Sequence, residues 1–224
     1  MFNKRYSSHQ FSVFRILFGI YLSIHFLYLI PYASELWSND GILPNASLNL
    51  TYGVFPNILN YFDTCTFVTA FVVIMAFLSI LFCFGFQRPI IAIALWYGWV
   101  CLFNRNNLIS NPGIPFVGWL LLVSAIIPKG EPWSLFSSKN ENWKMPKALI
   151  IGAWLIMSIS YTISGIDKLQ SESWANGTAI AYLIDNPLSR DTFFRKWLMA
   201  LPKFIIQIKT WIILAIELLF LPLA

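Results

Sequence analysis

Hydrophobic and polar positions fall in long blocks along this chain. Near-continuous apolar runs cover residues 11–30, 66–86, 90–103, 115–127, 148–166 and 204–221. A helix crosses a hydrocarbon core of roughly 30 Å with about 20 apolar residues. It satisfies its own backbone hydrogen bonds in lipid, which an open strand does not. The blocks therefore predict about six helical spans, with 90–103 and 115–127 short for a full crossing. No period-two alternation runs through the chain, which argues against a β-barrel.

The breaks between blocks carry their own signals. The first run closes at Pro31, and Gln87-Arg88-Pro89 is a tight break that makes the second and third spans an antiparallel hairpin. Asn104-Arg105-Asn106-Asn107 ends the third span. Two connections are longer. Residues 32–62 form a polar, Asn-rich loop with Pro44 and Pro56, and 167–203 is mixed, with Thr178–Ile184 and Phe193–Leu201 reading as short amphipathic helices at the membrane surface. The expected fold is all-α: a polytopic transmembrane helical bundle with short interfacial helices, a single transmembrane domain over residues 1–224. The sequence ends at Leu221-Pro222-Leu223-Ala224 with no polar flank, which points to truncation at the C-terminus.

Composition strengthens the membrane reading. The chain is 58% hydrophobic and 11% charged, against roughly 45–50% and about 25% in soluble proteins. The net charge of +5 reports topology rather than nucleic-acid binding. Lys4, Arg5, Arg88, Lys129, Lys139, Lys144 and Lys147 share one side if the spans alternate, whereas the 32–62 loop carries Glu35 and Asp40 and no basic residue. Both termini are then cytoplasmic, in an integral, multi-pass protein of the plasma membrane, or the inner membrane of a bacterium. Arg190, Arg195, Lys196 and Lys203 fall on the opposite side, so 167–203 either rests on the outer leaflet or holds a re-entrant element. The first run lacks a small-residue cleavage site and reads as a retained signal anchor. Cys65, Cys83 and Cys101 sit in or beside apolar runs and read as buried free thiols. They make no metal spacing with His9 or His25, so no metal centre is expected.

An ionisable group inside lipid costs roughly 2.5–3.5 kcal/mol on insertion scales, so each needs a reason. The candidates are Arg15, His25, Arg105, Asp167, Lys168 and Glu217. Arg15, in the first turn of its span, is expected to snorkel to the cytoplasmic headgroups. His25 reads as a packing residue, and Glu217 as a hydrogen-bonded or ion-paired group inside the bundle. In the stretch from Tyr161 to Gln170, Ser164 and Gly165 permit close helix approach. Asp167 and Lys168 then close the span. Lys168 either caps the helix C-terminus, where a cation is favoured, or acts as a neutral amine base when desolvated; the adjacent carboxylate opposes the second role. Asn104, Arg105, Asn106 and Asn107, with Asn111-Pro112-Gly113 beyond them, can bind a headgroup, a carboxylate or a quinone carbonyl. The alternative is an ordinary polar turn with Arg105 at the interface.

Three stretches together resemble the vitamin K-dependent γ-carboxylase-like superfamily, the HTTM membrane domain. They are the Phe-Arg-Ile-Leu-Phe-Gly pattern of Phe14–Gly19; the Asn104–Asn107 turn followed by Gly113 or Gly118, Ile127-Pro128 and Trp133-Ser134-Leu135; and Tyr161–Leu169 followed by Trp174 and Gly177. They span nearly the whole chain in family order. The resemblance implies a helical bundle with its working side away from the cytoplasm and a quinone as cofactor or substrate. In the carboxylases a lysine of the third stretch deprotonates reduced vitamin K, and Lys168 matches that lysine. The expected site is Lys168 as catalytic base, with Asn104, Arg105, Asn106, Asn107, Tyr161, Asp167 and Trp174 binding substrate. The chain departs from the carboxylases in having no histidine in the polar turn and no large extracytoplasmic domain, which weighs against glutamate carboxylation itself. Two functions follow: a membrane-embedded enzyme acting on a quinone, lipid or exported peptide, or a non-catalytic membrane partner or peptide-maturation factor. The spans show no paired, broken helices in inverted positions, as a transporter would. Besides the lipid bilayer, the expected partners are a quinone or an exported peptide, and no nucleic acid.

Overall fold

The computed structural model describes residues 7–109, 111, 113–135, 140–186 and 189–223, and every regular element among them is helical. Lys4, Arg5, Pro112 and Lys139 lie outside the described residues. The long helices follow the apolar blocks: α1 Ser8–Leu29, α3 Cys65–Cys83, α4 Arg88–Arg105, α5 Gly113–Ile126, α6 Lys147–Leu169 and α10 Lys203–Leu223. The short ones are α2 Ala33–Trp37, α7 Glu172–Ala175, α8 Ala179–Ile184 and α9 Phe193–Met199. Local chemistry sets several starts. Ser7 and Gln10 form a reciprocal capping box ahead of α1, and the Thr64 and Thr192 hydroxyls accept from the backbone N–H groups of Phe67 and Arg195 at α3 and α9.

Four helical stretches among the described residues are long and apolar enough to cross a membrane: Ser8–Trp37, Cys65–Cys83, Lys147–Leu169 and Lys203–Leu223. The first runs past Pro31, where the sequence predicts an end. Pro31 opens a 3-10 turn, Ile30–Tyr32, at a position where its missing N–H costs no hydrogen bond, and α2 continues directly from it. The outward faces are apolar as well as the core. Leu17 and Ile24 of α1, Ile74 and Phe77 of α3, and Ile163 of α6 are exposed. A helix apolar all round belongs in lipid or in the core of a large protein.

The chain divides into two compact units, residues 1–146 and 147–224. In the first, α1 and α2 pack on α3, α3 pairs with α4, and α4 packs on α5. Leu22, Phe26, Val68, Val72, Leu95 and Leu121 are fully buried between them. The α1–α3 crossing depends on Gly19, where a Cβ would lie 2.6 Å from the Cys83 Cα. The turn from α3 to α4 uses Gly85 at φ +74° and Gln87 at φ +38°.

In the second unit α6 and α10 run antiparallel. Gly165 lies against the backbone of Leu218, where a Cβ would sit 3.0 Å from the Leu218 nitrogen, and Tyr161 stacks on Phe220 at 5.0 Å. Thr162 accepts from the Leu221 N–H at 3.1 Å. Beyond the end of α6, α7 and α8 continue along the first half of α10. There the Trp211 indole donates to the Ala175 carbonyl at 3.0 Å. Gly177, at φ +76°, lets the chain turn against Gln207 and Trp211.

Candidate functional site

Three arginines of the first unit, Arg15, Arg88 and Arg105, are its largest fully or nearly fully buried side chains. Arg15 and Arg88 serve carbonyls at or just past a helix end, where the helix dipole also favours a cation. Arg15 donates to the carbonyls of Phe82 and Cys83 at the end of α3, and to that of Trp133 at 2.7 Å. Arg88 donates to the carbonyls of Ser124, Ile127 and Pro128 around the end of α5. Its Nε also donates to Glu131 Oε1 at 2.7 Å, and Arg15 Nε stands 3.6 Å from the same oxygen. Glu131 is 2% exposed. One buried carboxylate thus serves two buried guanidinium groups. This corrects one expectation: Arg15 does not snorkel, because packed helix ends offer it a denser set of acceptors than headgroups would, and Arg88 is held in the same way.

Arg105 was expected among the substrate-binding residues, with its asparagine neighbours. In the structure its donors face protein backbone: Leu43 at 2.8 Å, Ser38 at 3.1 Å and Pro44 at 3.4 Å, with the Asp63 carboxylate at 3.9 Å. Asn106 donates to the Leu36 carbonyl at 2.7 Å. Asn104 donates to Val100 within α4, and its own carbonyl accepts from the Asn49 amide at 2.7 Å. Asn107 is half-buried at the end of the turn. Asn104, Arg105 and Asn106 therefore fasten the 32–63 connection onto the end of α4.

The second unit brings a different set together. Lys168 lies in the last turn of α6, and its Nζ donates to both carboxylate oxygens of Glu217 on α10, at 2.5 and 2.6 Å. Ser164, one turn earlier, donates to the same carboxylate at 3.3 Å. The ammonium also stands over the Trp174 ring, 4.6 Å from its centroid, a cation–π contact. Helical spacing puts Ser160, Ser164, Asp167 and Lys168 on one face, and Ser171 follows at the cap of α7. With Ile163 and Trp174 they line an open groove of about 590 Å³.

Of the residues expected at the site, Lys168, Asp167 and Trp174 gather at this groove. Tyr161 turns away to stack on Phe220, and Asn104–Asn107 belong to the first unit. Chemically, the groove offers hydroxyl groups, an aromatic face and an ion pair. The ion pair is neutral as a unit, and Asp167 adds one negative charge. His25 packs among aromatic rings, 5.1 Å from Trp99 and 5.3 Å from Phe26.

Sequence reasoning missed Glu131, and it did not join Lys168 to Glu217. A faint signal existed for the first: Glu131 is a carboxylate just past the end of the fourth apolar run, among the basic residues Arg88, Lys129, Lys139, Lys144 and Lys147 that were placed on one side. No local signal links residues 168 and 217. Searches against family models, curated proteins and solved structures find no match to the chain.

Proposed function

We propose that this chain is a multi-pass membrane protein of the vitamin K-dependent carboxylase-like, HTTM kind, with α4 and α5 also embedded in the bilayer and its N-terminus cytoplasmic. In this reading the α6–α7 groove is the working site, and it takes a quinone, a lipid or an exported peptide. The observation that carries it is the Lys168–Glu217–Trp174 cluster: a lysine held at 2.5 Å from a carboxylate, at the mouth of a hydroxyl-lined groove on a membrane-length helix. Lys168 is the residue the resemblance puts forward as a base. Its Nζ donates to both oxygens of the Glu217 carboxylate, so both residues belong to the site. Trp174 supplies a flat face for a ring or an acyl chain, and Ser160, Ser164 and Ser171 supply hydrogen bonds to carbonyl or hydroxyl groups.

A second reading, a non-catalytic membrane partner or peptide-maturation factor, draws support from the same ion pair, which also locks α6 to α10. The two readings separate experimentally. Protein purified in lipid nanodiscs is extracted with organic solvent, and the retained quinones and lipids are identified by mass spectrometry. A groove that binds such a molecule retains it in the native chain and in Tyr161→Ala, and loses it in Ser164→Leu and Lys168→Ala. Equal retention in all four, or retention in none, overturns the groove as a binding site. If binding holds, an unchanged biological activity in a folded Lys168→Ala protein removes the catalytic role.

A further inference from the structure

The connection from α2 to α3 has an unusual composition for a loop in water. From Gly41 to Phe62 it contains no charged residue, and it carries Ile42, Leu43, Leu48, Leu50, Val54, Phe55, Ile58 and Leu59. Its path explains this. The segment leaves the end of α4 at Pro44, whose carbonyl accepts from Arg105, and returns to that level at Asp63, 3.9 Å from Arg105. Between these points it runs down the side of α4. The Asn57 amide donates to the Cys101 carbonyl at 2.9 Å, and the Tyr97 hydroxyl donates to the Pro56 carbonyl at 3.1 Å. Phe55 packs edge-on against Trp96 at 5.9 Å. From Arg105 back to Tyr97 along α4 is about 12 Å at about 1.5 Å per residue.

That distance can be placed against the bilayer through α3. With its 19 residues, α3 is about 28 Å long at about 1.5 Å per residue, just enough for a core of roughly 30 Å. All of α3 is therefore needed for the crossing, and none of its length is left to project into water. Its partner α4 runs antiparallel beside it, and Gly98 of α4 lies against Met75, near the middle of α3. Tyr97 is next to Gly98, so the Phe55–Pro56 tip reaches the level of the middle of α3.

We propose that residues 44–62 form a re-entrant hairpin that dips from the outer rim toward the bilayer centre and rests its outward side chains against lipid acyl chains. Two further features fit. Non-helical backbone survives at membrane depth only where its polar groups are satisfied, and tight turns and asparagine side chains satisfy a good part of the backbone of this hairpin. Tyr52 N–H donates to Asn49 O at 2.9 Å, and Tyr61 N–H to Ile58 O at 3.1 Å. The Asn45, Asn49 and Asn57 side chains accept from the N–H groups of Ser47, Thr51 and Leu59. Polarity is also sorted by side. Asn49 and Asn57 are buried against α4, whereas Leu48, Leu50 and Val54 are 70%, 92% and 77% exposed. Such a patch on a chain surrounded by lipid needs no other occupant. The proposal stands apart from the assignment of the Lys168 groove.

The test is spin-label accessibility on the full chain in phosphatidylcholine nanodiscs. Cysteine replaces Val54, beside the Phe55–Pro56 tip, or the rim residue Asn45, in a background with Cys65, Cys83 and Cys101 changed to alanine. The label at 54 is expected to collide with oxygen and to exclude a water-soluble nickel chelate, while the label at 45 meets the chelate. Equal chelate access at both positions places the hairpin outside the bilayer and overturns the proposal. Exclusion of both reagents at 54 means that protein covers it, which overturns it too. Should the cysteine-free background fail to fold, Val54→Lys in the native background gives the second measurement. It is expected to lower the thermal midpoint in nanodiscs well below that of Asn45→Lys, and equal tolerance at the two positions refutes the hairpin.

Discussion

Replacing Glu131 with glutamine tests the arginine cluster most directly. The substitution keeps the size of the side chain and one carbonyl oxygen for the Arg88 Nε, now 2.7 Å from a carboxylate. It removes the charge. Two guanidinium groups, both buried, then share a pocket with no anion: Arg88, and Arg15, whose Nε is 3.6 Å from the same oxygen. Their carbonyl contacts remain, so neither group is stripped of hydrogen bonds. The loss is electrostatic, and breaking a buried ion pair from one side costs about 3–5 kcal/mol. Against a typical stability of about 5–15 kcal/mol, that is a large fraction. Thermal unfolding in nanodiscs, followed by near-ultraviolet circular dichroism, should show a marked fall in midpoint. Arg88→Gln should also be destabilising, because it removes the nearer cation from Glu131 and the guanidinium donor from the Ser124 and Ile127 carbonyls. The double variant should lose less than the sum of the singles, since each change removes the partner the other leaves unpaired. An unchanged midpoint in Glu131→Gln, or strict additivity in the double variant, refutes the shared-carboxylate reasoning.

Two further outcomes follow from the packing. Gly165→Val places side-chain atoms where a Cβ alone would sit 3.0 Å from the Leu218 nitrogen; overpacking of this kind costs about 1–3 kcal/mol, read as a lower midpoint for the native chain reconstituted in lipid, and an unchanged midpoint argues against the close α6–α10 contact. Arg105→Met should release the 32–63 connection by removing the donor shared by Ser38, Leu43 and Pro44, so limited proteolysis should cut within that segment faster than in the native chain; equal cutting rates remove Arg105 as its fastener.

The amino-acid sequence determined the helices, and with them the membrane-spanning length and apolar character of four of them, because both depend on local quantities. Apolar block length sets the spans, so the expected 66–86 and 204–221 became Cys65–Cys83 and Lys203–Leu223. The expected surface helix Thr178–Ile184 became Ala179–Ile184 for the same reason. Even Gly165 and Ser164 could be read as a close-approach pair, since small side chains at helical spacing have one common use. The destinations of the charges were decided only by tertiary structure. Arg15 looked like a headgroup ligand because its position near a span end says nothing about Trp133 or Glu131, which lie more than a hundred positions away and reach it only when α1 packs on α3. Arg105 and its asparagines looked open to a ligand until the 32–63 connection folded back over them. Lys168 and Glu217 each stood out as charges in an apolar setting, yet their pairing depends on the register of two antiparallel helices. Hydropathy records which residues avoid water; it does not record which helix a guanidinium or an ammonium will meet there. In this protein that choice turns buried charges into helix caps and an interhelical ion pair, and leaves the α6–α7 groove as the place to look for function.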